Sequence, residues 1–100
     1  MTRNRGRALE RVRQLVLDAL EDYRARVYLF GSCAEGAPRH SSDIDIAIEP
    51  LDDLPVSVLN KIRDKLEEST IPYEVDVIDM RGTDESFRKR IKEEGLLWRG

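Results

Sequence analysis

Three aspartates and one glycine-serine pair are the residues of this chain whose types and spacing can do chemistry. Asp43 and Asp45 stand two apart in "SSDIDIAI". On a strand, residues two apart leave the same face, about 7 Å apart at Cα, so two like charges lie side by side. A fold tolerates that more readily when a cation sits between them. Oxygen-only ligands suit Mg²⁺, which takes one or two protein carboxylates and completes its shell with water and phosphate oxygens. Asp76 lies in "YEVDVID", flanked by valines that suit a sheet interior. If its strand pairs with that of Asp45, three carboxylates converge, enough for two metal ions about 3.5 to 4 Å apart. Upstream, the apolar run of "LFGSCAEG" stops at Gly31 and Ser32. A turn of that kind, with exposed backbone N–H groups, can cradle phosphate. An Asp-x-Asp on the solvent face of an edge strand is common and by itself means nothing. The later Asp76 and the upstream Gly-Ser turn set this pair apart.

These residues need elements to hold them. Leu9, Val12, Leu15, Val16, Ala19, Leu20 and Tyr23 recur at three- and four-residue spacing, which predicts an amphipathic helix from Gly6 to Tyr23. Val27 to Phe30 reads as a short buried strand. Gly31 to Ser42 is glycine, proline and serine punctuation, hence loop, with room for one helical turn near Ala34. Ile44 to Glu49 alternates, with Ile44, Ile46 and Ile48 on one face and Asp43, Asp45 and Ala47 on the other. Pro50 ends that strand. Asp52 and Asp53 precede Leu54 and Pro55, a helix entry with proline in the first turn. Leu59, Ile62 and Leu66 mark the buried side of this second helix, which stops between Ser69 and Pro72. Tyr73 to Met80 is a third strand, with Val75 and Val77 on one face and Asp76 on the other. Gly82 and Thr83 break the chain. Phe87, Ile91 and Leu96 then point to a last helix ended by Gly95, with Leu97 and Trp98 docked onto the body.

The order helix, strand, loop, strand, helix, strand, helix predicts an α/β (α+β) domain with a small mixed sheet flanked by helices. A chain of 100 residues fits one such domain, with residues 1–6 a flexible lead. Hydrophobic residues make up 40%, enough for one modest core, while 37% charged residues make the surface strongly charged. The net charge of -3 gives no reason to expect strong nucleic-acid binding by a basic surface. Arg3, Arg5, Arg7, Arg11 and Arg13 crowd the start. They read as a soluble tail running into a solvated helix face, the alternative being an arm that touches RNA or an acidic partner. Cys33 is the one cysteine, so no disulfide forms within the chain, and a reducing compartment is the simplest expectation. Neither a signal peptide nor a membrane-length run is visible, so the expected location is the cytoplasm, away from membranes.

The stretch "GSCAEGAPRHSSDIDIAI" resembles the signature of the nucleotidyltransferase superfamily related to DNA polymerase β: Gly-Ser, a spacer of about ten residues, Asp-x-Asp, and an acidic residue on a later strand. The short length and the turn from Ala34 to Gly36 most resemble its minimal nucleotidyltransferase (MNT) branch. The likeness covers Val27 to Asp79 in motif terms, and the end of the last helix at Gly95-Leu96-Leu97 also fits. It implies the nucleotidyltransferase fold. It also implies that Gly31 and Ser32 bind the phosphates of a nucleoside triphosphate, and that Asp43, Asp45 and Asp76 are the catalytic, metal-binding carboxylates, with two Mg²⁺ ions. One position departs from the pattern, since many relatives carry arginine where this chain has Glu35. Arg39, in the same loop, is a candidate substitute as a phosphate contact, the alternative being a solvent-exposed arginine. Ser42 is a candidate ligand-binding residue near the metals, a plain turn serine being the alternative. His40 reads as a loop residue, and Cys33 as a packing residue, because nothing beside it supplies a base.

Members this small resemble the antitoxin half of a toxin–antitoxin pair whose partner is an all-helical HEPN ribonuclease toxin. The resemblance therefore implies an enzyme, a protein adenylyltransferase that moves AMP from ATP onto a toxin tyrosine within a hetero-oligomer. Two other functions are compatible with the sequence. One is a weakly catalytic or non-catalytic module that neutralises a partner by occlusion. The other is a subunit that transfers nucleotide to a small molecule of the aminoglycoside type.

Overall fold

A computed structural model describes residues 2–30 and 44–99, with side chains from residue 6 onward. Among these residues the order is α1 (Thr2–Ala19), β1 (Ala25–Phe30), β2 (Ile44–Pro50), α2 (Val56–Glu68), β3 (Val75–Asp79), a 3₁₀ turn (Met80–Gly82), α3 (Glu85–Glu94) and β4 (Leu96–Arg99). The strands form one mixed sheet in the order β3-β2-β1-β4.

The strand alternation divides the sheet into two differently covered faces. Val27, Leu29, Ile44, Ile46, Ile48 and Val77 point to one side, where they pack with Val12, Val16 and Leu20 of α1 and Leu59, Ile62 and Leu66 of α2. Fully burying each such side chain stabilises the fold by roughly 1.5–3 kcal/mol, so the two helical stripes hold this layer in place. Tyr28, Phe30 and Ala47 point to the other side, against Met80 of the 3₁₀ turn and Ile91 of α3. With helices on both faces, β2 is one of the two interior strands, and all five residues from Ile44 to Ile48 are buried.

β1 and β2 pair antiparallel, with Phe30 opposite Asp45 and Tyr28 opposite Ala47. β2 and β3 pair parallel, which requires a crossover, and α2 supplies it. The second helix begins one residue later than its proline suggests. Pro55 is its N-cap, with extended backbone and no side-chain cap bond, rather than a member of the first turn. The first helix runs from Thr2 and stops at Ala19, so Leu20 and Tyr23 continue the buried stripe beyond it in a turn. Arg99 reaches back from β4 and donates to the carbonyls of Leu20 (2.8 Å), which also accepts from the Tyr23 N–H, and of Tyr23 (3.0 Å), tying the strand to the turn after α1.

The C-terminus differs most from expectation. Leu96 does not extend the last helix. It opens β4, which pairs antiparallel with β1 through Leu29↔Leu96 and Tyr28↔Leu97. The helix ends where a close approach demands a residue without Cβ. A Cβ on Gly95 would lie 2.5 Å from the Ile91 carbonyl oxygen and 3.3 Å from that of Leu29. Trp98 then packs on the core as expected, while Leu97 stays 50% exposed on the strand.

Candidate functional site

Asp45 and Asp76 come together at the start of the parallel pair. Ile44 donates its N–H to the Glu74 carbonyl at 3.1 Å, which fixes the register, and Asp45 stands opposite Asp76. Adjacent strands run about 5 Å apart, so the two carboxylates leave one face as neighbours. It is the face of Tyr28, Phe30 and Ala47, opposite the isoleucine layer. The pairing of the second and third strands on which convergence depended is therefore present. The two carboxylates differ in setting. Asp45 is 3% exposed, the one buried charged side chain among the described residues, while Asp76, on the outer strand, is exposed. One is anchored within the sheet and the other is open to an incoming group.

Phe30, opposite Asp45 on the other flank, meets Phe87 of α3 edge to face, with ring centroids 5.8 Å apart. Such a pair adds about 0.5–1.5 kcal/mol beyond its burial. It gives the acidic pair an apolar wall; the sequence marked Phe87 as an apolar helix residue, but not that it meets Phe30 beside Asp45. Arg63 is a second residue that spacing alone does not reveal. From the exposed side of α2 it donates Nη2 to the Val77 carbonyl at 2.9 Å and Nη1 to Asn60 Oδ1 at 3.0 Å. It ties the helix to β3 one residue beyond Asp76. Beside it a cleft of about 370 Å³ runs along β3, with Leu66, Ile71 and Tyr73 in its wall and Asp76 at its rim.

The other expected site residues, Gly31, Ser32, Arg39, Ser42 and Asp43, lie outside the described residues, as do Cys33, Glu35 and His40. Among the described residues no group of three metal-ligating side chains forms. The chemistry of the described pair nevertheless fits Mg²⁺: two hard carboxylate donors in register, one of them solvent-facing. That ion commonly takes only one or two protein carboxylates. No helix among the described residues is long and apolar enough to cross a membrane.

The element order, with two acidic residues in register on the central and outer strands, defines a nucleotidyltransferase fold. Residues 18–98 match the family model described as Polymerase beta, Nucleotidyltransferase, and the chain belongs to that family. It is 34% identical over 85 residues to the Haemophilus influenzae protein named Probable protein adenylyltransferase MntA, covering 82% of this chain and 70% of that protein. A solved minimal nucleotidyltransferase superposes with a TM-score of 0.67 at 26% identity, over 88% of this chain and 90% of the other. A chain from the Shewanella oneidensis complex of a tri-AMPylated HEPN toxin with an MNT antitoxin superposes with a TM-score of 0.65 at 26% identity, over 93% and 70%. A toxin–antitoxin structure with AMP-PNP gives 0.63 at 27% identity, over 88% and 73%.

Proposed function

We propose that this protein is a Mg²⁺-dependent protein adenylyltransferase that moves AMP from ATP onto a tyrosine of a HEPN-type toxin in the cytoplasm, and so acts as its antitoxin. The observation that carries this is the register of Asp45 with Asp76, at the end of the sheet where the chain leaves β1 for Gly31 and Ser32. The relatives support it. One is named an adenylyltransferase, one similar structure holds an ATP analogue, and another pairs an MNT antitoxin with an AMPylated toxin.

In this reading Gly31 and Ser32 hold the triphosphate, with Arg39 and Ser42 as further contacts to it. Asp43, Asp45 and Asp76 hold Mg²⁺, up to two ions. The bound metal supplies charge neutralisation and lowers the pKa of the attacking hydroxyl. The chain's own task is positioning. Asp45, fixed inside the sheet, sets where the phosphate chain lies relative to β3. Asp76, open to solvent, faces the acceptor. The tyrosine oxygen forms a bond to the α-phosphorus as the bond from that phosphorus to its bridging oxygen breaks. The electron pair leaves on pyrophosphate, and the tyrosine proton passes to Asp76 or to water. The product carries a new negative charge and a bulky nucleoside, which would obstruct RNA at a ribonuclease site.

The test is direct. The protein is incubated with Mg²⁺, labelled ATP and the HEPN-type product of the neighbouring gene, and intact masses are read. One or more AMP units added to the partner, abolished by Asp43→Asn or Asp45→Asn, is the expected result. Tight binding without mass change would replace transfer with occlusion.

A further inference from the structure

The faces of the sheet limit how a macromolecular acceptor can reach Asp76. One face is closed by α1 and α2 and the other carries α3. β4 forms the far edge, separated from β3 by two strands. The near edge is β3 itself, with which no further strand pairs among the described residues. The bond from Ile44 N–H to the Glu74 carbonyl turns Glu74, Asp76 and Ile78 inward to β2. Alternation then turns the backbone groups of Val75 and Val77 outward. The Val77 carbonyl confirms this, since Arg63 reaches it from outside the sheet. Arg63 thus occupies one end of the outward edge and leaves the stretch at Val75 facing the cleft.

The cleft has a definite chemical character. Leu66, Ile71 and Tyr73 give it an apolar wall, Glu67 adds an exposed carboxylate from α2, and Glu74 and Asp76 border it along the β3 edge with their side chains alternating to the other face. Its one lining guanidinium, Arg63, is directed to Val77 and Asn60. Such a surface repels a polyphosphate and attracts a cationic one. It meets the candidate site at the β3 edge, where Asp76 borders the cleft and turns its side chain to the face of Asp45.

We infer that the outer edge of β3 and this cleft dock the acceptor, as an extended, positively charged segment of the partner protein. The segment pairs its backbone with Val75, sets an apolar side chain against Ile71 and Tyr73, and brings its hydroxyl to Asp76. Strand addition of this kind takes affinity from main-chain hydrogen bonds and specificity from alternate side chains. The inference rests on the adenylyltransferase reading for what the docked hydroxyl receives, though not for the docking itself.

Two variants test it, with the HEPN-type partner and ATP as probes. Glu67→Lys reverses a charge on the cleft rim and should raise the partner's KM about five- to tenfold, with the KM for ATP unchanged. Val75→Pro removes the outward N–H at the first residue of an edge strand, where proline is tolerated, and should weaken partner binding further. Glu93→Lys, on the exposed side of α3, controls for net charge and should leave transfer unaltered. If Val75→Pro fails to fold, Glu67→Lys decides alone. Unchanged partner KM in the folded variants overturns the inference, as does a shift that falls on ATP, which would make the cleft a nucleotide site. If the wild type binds the partner but transfers nothing, the adenylyltransferase reading fails separately. Docking is then judged by titration, with weaker partner binding by Glu67→Lys supporting it and equal binding overturning it.

Discussion

Asp45 and Asp76 face one another across the parallel β2–β3 pair, one buried and one exposed. Without a cation, two carboxylates at strand spacing repel. Replacing Asp76 with asparagine removes that repulsion and, on the proposed function, a metal donor together. In Mg²⁺-free buffer Asp76→Asn should melt at or above the wild-type temperature. Added Mg²⁺ should raise the wild-type Tm and leave that of Asp76→Asn nearly unmoved. AMP transfer should fall by about 10²-fold or more, since the positioned metal provides most of the charge stabilisation. Thermal melts with and without Mg²⁺, beside a transfer assay, check all three outcomes.

How far the sequence carried is clear from these two residues. Alternation placed Asp45 opposite the isoleucines, and valine flanks placed Asp76 in a strand. Both assignments hold because period-two patterning is local. That β2 is buried on both faces was not legible, because Ala47 and Asp45 do not look like a buried face until Met80 and Ile91 pack over Ala47. β4 was missed because Leu96 was read with Phe87 and Ile91 as part of the last helix, although it lies five residues beyond Ile91 and off their stripe. Gly95 was legible as the helix end; that the chain then runs into a strand against Leu29 was not, because that pairing is tertiary. Arg63 was invisible for a similar reason, since its acceptor lies 14 residues away on another element. The roles of Gly31, Ser32 and Asp43 rest on the motif alone.

Gly95→Ala should be costly for a position between two elements. Its Cβ would press on the Ile91 carbonyl oxygen at 2.5 Å and approach Phe30 Cβ at 3.4 Å. Both belong to regular elements that cannot yield cheaply, so a loss of about 1–3 kcal/mol is expected. In a domain of this size each kcal/mol shifts Tm by about 4–8 °C. Trp98 is the chain's one tryptophan and sits on β4, so its emission should move toward that of solvent-exposed indole as β4 loosens.

Phe87→Leu removes the edge-to-face contact with Phe30 but keeps an apolar residue. A destabilisation of about 1–2 kcal/mol in urea unfolding is expected, from the ring pair and partial loss of packing. Because Phe30 stands opposite Asp45, transfer should decline modestly with little change in Mg²⁺ dependence. That would separate a wall residue from a metal ligand.

Asp79, at the end of β3, gives the pH dependence. Its carboxylate accepts from the Arg81 backbone N–H at 3.0 Å, from Nε at 3.1 Å and from Nη2 at 2.9 Å. Arg81 Nη1 donates in turn to the Leu54 carbonyl at 2.9 Å, tying the strand end to the segment before α2. The side-chain bond from Arg81 holds the Asp79 carboxyl below its ordinary value of 3.8, against the opposing effect of burial. A depressed folded value means that the unfolded chain binds more protons between the two values. The pair's contribution is therefore fully present above 3.8 and is lost as pH falls through the lower, folded value. The side chains are 24% and 42% exposed, so solvent screening limits the contribution to about 1 kcal/mol or less. Asp79→Asn should lower urea-unfolding stability by that amount near neutral pH. The difference from wild type should shrink as both proteins are acidified below 3.8 and through the lower, folded value, where the native carboxyl loses its charge. A gap that widened on acidification would mean that Asp79 acts through something other than its ion pair with Arg81.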